Sequence, residues 1–124
     1  MEIASIVLQS LLALIFLSAG ATKIAGMQKH RDSFVSWRLP QWFRIVTGIV
    51  ELAAAVLLIV GYWDPSWAAV GALVLSVVGI GGIVTHARVK DPLGQTIPIA
   101  ALGIIAFVLL GLEWSALGDF PGFE

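Results

Sequence analysis

Residues 42–62, WFRIVTGIVELAAAVLLIVGY, form an apolar run that is long enough to cross a membrane as one α-helix. A helix needs about 20 apolar residues to span the hydrocarbon of a bilayer. Residues 3–22, 67–85 and 97–114 are three further runs of this kind. None of the runs alternates polar with apolar residues as barrel strands do. Because a backbone in lipid must satisfy its own hydrogen bonds, residues 1–124 are predicted to form a single all-α integral membrane four-helix bundle.

The composition is typical of a membrane protein. Of the 124 residues, 59% are hydrophobic and 12% are charged, whereas about a quarter of the residues in a soluble domain are charged. The absence of cysteine excludes disulfides, thiolate metal ligands and thiol redox chemistry on this chain. Two histidines without a neighbouring carboxylate pair predict no metal site. Basic residues confined to two short segments predict no nucleic-acid partner.

The placement of the charges predicts the orientation of the bundle. The seven Lys and Arg residues lie in or beside the first and third loops: Lys23, Lys29, Arg31, Arg38, Arg44, Arg88 and Lys90. The other side carries only acidic residues: Glu2, Asp64, Glu113, Asp119 and Glu124. By the positive-inside rule, loops 1 and 3 are cytoplasmic and both termini are extracytoplasmic, in a cell (plasma) membrane.

The connections carry two further signals. Asp64-Pro65 and Asp91-Pro92 each place a capping acid before a proline, so both predict a helix start. Residues 23–41 mix apolar with charged side chains and predict a short amphipathic interfacial segment between helices 1 and 2.

Small and polar residues predict how the spans pack. Ala68, Ala72 and Ser76 form a small-residue row at four-residue spacing, which lets helices approach closely in lipid. Such rows favour packing within the bundle and also allow a homodimer. Gln9, inside the first span, is predicted to donate a hydrogen bond between helices.

Glu51 is the most informative residue, because it lies near the middle of the second span. An ionisable group at that depth costs about 2.5–3.5 kcal/mol on insertion scales. We therefore expect Glu51 to face the bundle interior, with a partner or as a neutral acid. Arg44, Thr47 and Glu51 recur at three and four residues and share one helix face. A functional carboxylate and a structural hydrogen bond between helices are both open.

Two other residues lie at the cytoplasmic ends of spans. His86 ends the third span, where an imidazole could exchange protons at neutral pH or serve as an interfacial polar group. Lys23 follows Thr22 at the end of the first span and could interact with terminal carbonyls, lipid phosphates or a ligand.

These residues predict an intramembrane cavity in the cytoplasmic half of the bundle. Apolar walls with few polar groups suit a lipid-soluble ligand such as a quinone or another lipid-like molecule. The candidate catalytic residues are Glu51 and His86. The candidate residues for binding a cofactor or ligand are Lys23, Arg44, Thr47 and Thr22.

Three motifs resemble the DoxX family, in particular its small DoxX-like members. They are FLSAGATK at residues 16–23, GIVEL at 48–52 and THAR at 85–88. Together with the tight turn between the second and third spans, they extend the resemblance over residues 12 to about 110. In the first motif a glycine precedes the lysine by three positions.

The resemblance implies a four-helix membrane bundle linked to redox metabolism. Family members are associated with thiosulfate oxidation coupled to quinones, with oxidative-stress complexes, and with quinone or catechol stress. Eukaryotic relatives resemble assembly chaperones for other membrane proteins. Gly20, Lys23, Gly48 and Glu51 fit the family pattern.

Three functions remain open at this point. The first is a membrane subunit of a redox or detoxification system that binds a quinone-like or other hydrophobic small molecule near Glu51. Because the chain lacks a redox-active residue, an oxidoreductase role would need electrons from a bound cofactor or a partner subunit. The second is a non-catalytic assembly partner of other membrane proteins, with Glu51 joining two helices. The third is a proton-coupled transporter, which would need a dimer because four spans without an internal repeat are few.

Overall fold

The computed structural model describes residues 3–121, and these residues fold into six α-helices. The helices are α1 (Ile3–Ala25), α2 (Gln28–Ser36), α3 (Gln41–Val60), α4 (Pro65–Arg88), α5 (Leu93–Leu112) and α6 (Trp114–Leu117). Helices α1, α3, α4 and α5 are long and apolar enough to cross a membrane. The predicted all-α bundle is confirmed, and α2 is the predicted short segment between the first two spans. Glu2 and Glu124, two of the predicted extracytoplasmic acids, lie outside the described residues.

The four long helices close into a ring. Helix α1 packs on α3, α3 on α4, α4 on α5, and α5 returns to α1. Helix α6 packs on α4. Phe120, which follows α6, places its ring 4.9 Å from the ring of Trp67 in α4. This arrangement leaves one side of each long helix for lipid and turns the other toward the bundle axis.

Both predicted helix starts are confirmed, but of the two acids only Asp64 caps its helix. At the start of α4, Asp64 accepts hydrogen bonds from the backbone N–H and the hydroxyl of Ser66, at 3.1 and 2.8 Å. Helix α5 begins after Pro92, and Asp91 makes no capping hydrogen bond there. The Asp91 carboxylate has tertiary partners instead, and these compete successfully with the local backbone. Helix α5 starts at Leu93, directly after Asp91-Pro92 and four residues before the predicted span.

The two ends of the bundle differ in charge. We call the end formed by residues 23–44 and 86–93 the basic end, because all seven Lys and Arg residues lie there. The opposite end, with residues 61–64 and 113–119, is the acidic end. Asp64, Glu113 and Asp119 are its described charged residues.

The hydrophobic core lies in the middle and the acidic half of the bundle. It contains Leu12, Ala13, Phe16, Ala54, Ala55, Leu58, Ala68, Ala72, Leu75, Ala106, Leu109 and Leu110. Gln9 joins this core by donating a hydrogen bond from Nε2 to the Leu58 carbonyl at 2.5 Å, as predicted. The core therefore fixes the acidic half, and the candidate residues lie outside it.

Candidate functional site

Helices α1 and α3 cross at two glycines near the basic end. A Cβ atom added to Gly20 would lie 2.7 Å from the Gly48 carbonyl oxygen. A Cβ added to Gly48 would lie 2.9 Å from the Gly20 carbonyl oxygen. These distances are shorter than a Cβ atom tolerates, so only glycine at both positions permits this approach of the two backbones.

The glycine crossing places Lys23 beside Glu51. The two helices are antiparallel, and each charged residue follows its glycine by three positions. Helical Cα–Cβ bonds tilt toward the helix N-terminus. The Lys23 side chain therefore points into the membrane, and the Glu51 side chain points back toward the basic end. Lys23 Nζ and Glu51 Oε1 lie 2.7 Å apart.

The ion pair explains how a carboxylate is accommodated in the second span. The Glu51 residue is only 2% exposed, and an unpaired buried charge would be strongly destabilising. The Lys23 ammonium supplies the compensating charge. Its carbon stem lies where a side chain at Gly48 would be, since a Cβ there would come within 3.0 Å of Lys23 Cβ.

Arg44 holds the C-terminal end of α1 and does not line the cavity between α3 and α4. Its Nη1 donates to the Lys23 carbonyl oxygen, and its Nε donates to Gln41 Oε1 at 2.9 Å. The last carbonyls of a helix lack intrahelical partners and carry partial negative charge. Arg44, 4% exposed, therefore fixes the helix end that carries Lys23.

Thr22 connects α1 to α2. Its hydroxyl oxygen lies 2.9 Å from His30 Nε2. Burial lowers the pKa of His30, and the neighbouring cations Lys23, Lys29 and Arg44 lower it further. Both effects disfavour a further positive charge at the basic end. Thr22 positions the interfacial helix and is not among the residues that line the cavity.

A cavity of about 340 Å³ lies in the basic half, between α3 and α4. Its polar lining consists of Lys23, Thr47, Glu51, Thr85 and His86. The remaining lining is apolar and comes from the segment of residues 34–39 and from α3, α4 and α5. The structure thus brings Glu51, His86, Lys23 and Thr47 together around one space, and it leaves Thr22 and Arg44 outside that space.

The cavity exists because α3 and α4 separate toward the basic end. In the acidic half the two helices touch. A Cβ added to Gly61 would lie 2.5 Å from Ala68 Cβ, and a Cβ added to Gly71 would lie 3.1 Å from the Ala54 carbonyl oxygen. In the basic half, Gly81 of α4 has no atom within 4 Å of the position that its Cβ would take. Because Gly81 lines the cavity, its missing side chain adds to that space.

The polar groups around the cavity differ in what they can offer a ligand. Thr47 Oγ1 donates to the Phe43 carbonyl and Thr85 Oγ1 to the Gly81 carbonyl, each at 2.8 Å. Both hydroxyls can then act toward the cavity only as acceptors. The Lys23 ammonium has three N–H donors, so it can serve Glu51 and a ligand together. Within residues 3–121, no group of three or more His, Asp or Glu side chains could hold a metal ion.

His86 is held by two residues that the sequence analysis did not assign to the site. Its Nδ1 lies 2.7 Å from Asp91 Oδ2, and Trp37 Nε1 donates to the same oxygen at 3.1 Å. The Trp37 and His86 rings meet edge to face at 5.2 Å. Because the carboxylate accepts the Nδ1 proton, Nε2 is the ring nitrogen that remains for a ligand.

Loops 1 and 3 together close the basic end of the cavity. Arg88 donates to the Trp37 carbonyl oxygen, in addition to the hydrogen bond between Trp37 and Asp91. Phe34 is 2% exposed and packs on the Trp37 ring at 5.1 Å. We call Phe34, Trp37, Arg88 and Asp91 the Trp37 closure. In the sequence, the only sign of this closure was Asp91, an acid five positions after His86.

The sequence profile of the DoxX-like family matches residues 7–109. This range contains the glycine crossing, the ion pair and His86. The chain belongs to the DoxX-like family. Membership confirms the resemblance predicted from the motifs and, with the four apolar helices, identifies a small multi-pass membrane protein.

One relative of this DoxX-like protein is the uncharacterized protein YdgD of Bacillus subtilis (strain 168). The two are 36% identical over 84 residues, which cover 68% of this chain and 72% of the relative. No solved structure matches this DoxX-like chain significantly.

Proposed function

We propose that this protein binds a hydrophobic small molecule with polar oxygen atoms, such as a quinone, in the cavity beside Glu51. The observation that carries the proposal is a buried Lys23–Glu51 ion pair that borders an otherwise apolar space. A volume of about 340 Å³ lies within the range of about 300–1,000 Å³ that is usual for ligand sites. A purely structural ion pair would not need a cavity beside it.

The lining supports a division of roles. The Lys23 ammonium would donate a hydrogen bond to a ligand oxygen, where charge assistance strengthens it. Glu51 and the Nε2 atom of His86 would exchange protons with the ligand. Reduction of a quinone to a hydroquinone takes up two electrons and two protons. The protons would pass through these two residues, and the electrons would come from a cofactor or a partner subunit.

This chemistry suits a membrane subunit of a redox or detoxification system. With the basic end in the cytoplasm, as the positive-inside rule predicts, His86 would exchange protons with that compartment. The partner that supplies electrons would be another redox subunit, and a second copy of this chain could complete the assembly.

The second candidate is an assembly partner for other membrane proteins. The Lys23–Glu51 pair favours it, because the pair joins α1 to α3 and would be needed for stability alone. The two functions differ in one measurable respect: an assembly partner retains no ligand in the cavity.

Filling the cavity tests the proposal. Leucine at Gly81 would project into the open space beside it, so Gly81→Leu should remove the ligand while leaving the fold intact. Protein purified in mild detergent would be extracted with organic solvent, and the extract analysed by mass spectrometry. We expect a stoichiometric quinone or lipid-like molecule from the wild type and at least a tenfold loss from Gly81→Leu.

Gly111→Leu is the matched control. Gly111 also has open space around it and lies in α5 near the acidic end, away from the cavity. Glu51→Gln should lower retention at least tenfold, because a hydrogen bond to a charged group contributes about 1.5–3 kcal/mol. A wild-type extract without ligand, combined with no binding of added decyl-benzoquinone beyond its partition into micelles, would contradict the proposal and leave the assembly role.

A further inference from the structure

The cavity extends from the bundle interior to the lipid-facing surface. Its wall on α3 runs from Glu51, which is buried, through Val50 to Val46, which is 41% exposed. Val46 precedes Glu51 by five positions, which places it about 140° around the helix axis. Trp42 and Ile49, 65% and 54% exposed, lie on that same outer side of α3. The cavity therefore opens sideways between α3 and α4.

The end of the cavity that faces the aqueous phase is closed in the same structure. The Trp37 side chain is held there by the Asp91 carboxylate, and its backbone by Arg88. Phe34 fills the space behind the Trp37 ring. A molecule arriving from water would have to displace this closure, whereas a molecule in the bilayer meets valine side chains at an existing opening.

We propose that the ligand enters from the lipid leaflet at the basic end, through the opening between α3 and α4. Its polar head then reaches Lys23 and Glu51, and an apolar tail remains in the opening against Val46 and Val50. The inference rests on the proposed function and specifies its ligand class. The ligand is a membrane-dissolved amphiphile with a compact oxygen-bearing head and a hydrocarbon tail.

The lining explains why head and tail would take these positions. Polar groups occur deep in the cavity and at the Trp37 closure, and the lateral opening is lined by Val46, Val50 and Val78. A head left in the opening would lack hydrogen-bond partners, which is costly away from water. In the reverse orientation, the hydrocarbon tail would lie in the interior, and the Lys23 ammonium could not reach the polar head of the ligand.

Photo-crosslinking in lipid nanodiscs tests the route. The probe is a decyl-tailed benzoquinone with a diazirine in the tail, and unlabelled decyl-benzoquinone is the competitor. We expect crosslinks at Val46, Val50 and the facing part of α4, reduced at least fivefold by the competitor. The tailless parent quinone, compared at equal mole fraction in the membrane, should compete at least tenfold less well.

A bulky residue at the opening provides the second measurement. Val46→Trp should slow competable labelling about tenfold. Ile45→Trp is the matched control, because Ile45 is its neighbour in sequence, is 38% exposed and does not line the cavity. Labelling at the wild-type rate in Val46→Trp, crosslinks confined to Trp37 and Leu39, or equal competition by the tailless quinone would overturn the lateral route.

Failure of the route can be told apart from failure of the proposed site. If the competitor suppresses crosslinking at no position, the binding site is wrong and the route falls with it. If Gly81→Leu abolishes competable labelling while Val46→Trp does not change it, the site stands and the lateral route is overturned.

Discussion

The same two helices pack in opposite ways in the two halves of the molecule. In the acidic half, α3 and α4 are so close that a side chain at Gly61 would clash with Ala68 and one at Gly71 would be crowded. In the basic half, the space between them holds a cavity bordered by Glu51 and His86. In the acidic half the buried Gln9 side chain donates a hydrogen bond from Nε2 to the Leu58 carbonyl oxygen. In the basic half, the Lys23–Glu51 ion pair lies at the edge of that cavity.

This difference shows where the bundle gains its stability. Helices in lipid associate mainly by close packing, because lipid tails are as apolar as the side chains themselves. The acidic half, with its small residues and its core, supplies that packing. The basic half can then keep a cavity, provided that the glycine crossing still holds α1 against α3.

The largest effect is expected at that crossing. In Gly48→Leu, even the Cβ atom would lie within 3.0 Å of the Gly20 carbonyl oxygen, Ile24 Cγ1 and Lys23 Cβ. We expect a loss of about 3 kcal/mol or more of unfolding free energy, because two backbones would have to separate. Denaturation in mixed micelles measures it, with Gly111→Leu as the open-space control. Equal stability of the two variants would contradict a tight crossing.

A smaller effect should distinguish the two halves directly. Leu58 is fully buried in the core, so Leu58→Ala should cost about 2 kcal/mol or more. Val78 lines the cavity, so Val78→Ala should cost less than about 1 kcal/mol, since part of its surface already lacks neighbours. The same denaturation assay compares them. If Val78→Ala were as costly as Leu58→Ala, the cavity would have to be occupied by packed atoms.

The sequence predicted the spans and the burial of Glu51 better than it predicted the contacts at the basic end. Hydropathy indicated the four spans, and the cost of burying a carboxylate indicated that Glu51 faces the interior. Spacing along one helix placed Arg44 on the face of Glu51, and it gave no sign that Lys23 is the partner of that carboxylate. The identity of the partner depends on where α1 crosses α3, because the crossing brings Arg44 to a helix end and Lys23 to the carboxylate.

Asp91 shows a second limit of local patterns. An acid before a proline has the local pattern of a helix cap, and Asp64 is one. Asp91 instead bonds His86 and Trp37, a residue 54 positions away in the chain. Only the approach of loops 1 and 3 makes this contact available. The orientation of the basic end and a homodimer stay predictions from charge and small-residue patterns.

The smallest effect concerns backbone strain at the basic end. Arg38 and Lys90 both have a φ of 59°, in the left-handed region that costs a non-glycine residue about 1–2 kcal/mol. Arg38→Gly should therefore raise the unfolding free energy in neutral detergent by about 0.5 kcal/mol, after the extra backbone entropy of glycine is subtracted. Arg38→Ala keeps the strain and should give no gain, which makes it the matched control.

Anionic lipid should reverse the benefit of Arg38→Gly. A basic side chain near an anionic surface gains about 1 kcal/mol, which exceeds the expected relief of strain. In vesicles rich in phosphatidylglycerol, Arg38→Gly should thus be less stable than the wild type. If Arg38→Gly, like Arg38→Ala, gave no gain in stability in neutral detergent, strain would not explain the difference between the media. If the reversal occurs, the basic half tolerates strained backbone as well as a cavity, and the packing of the acidic half supports both.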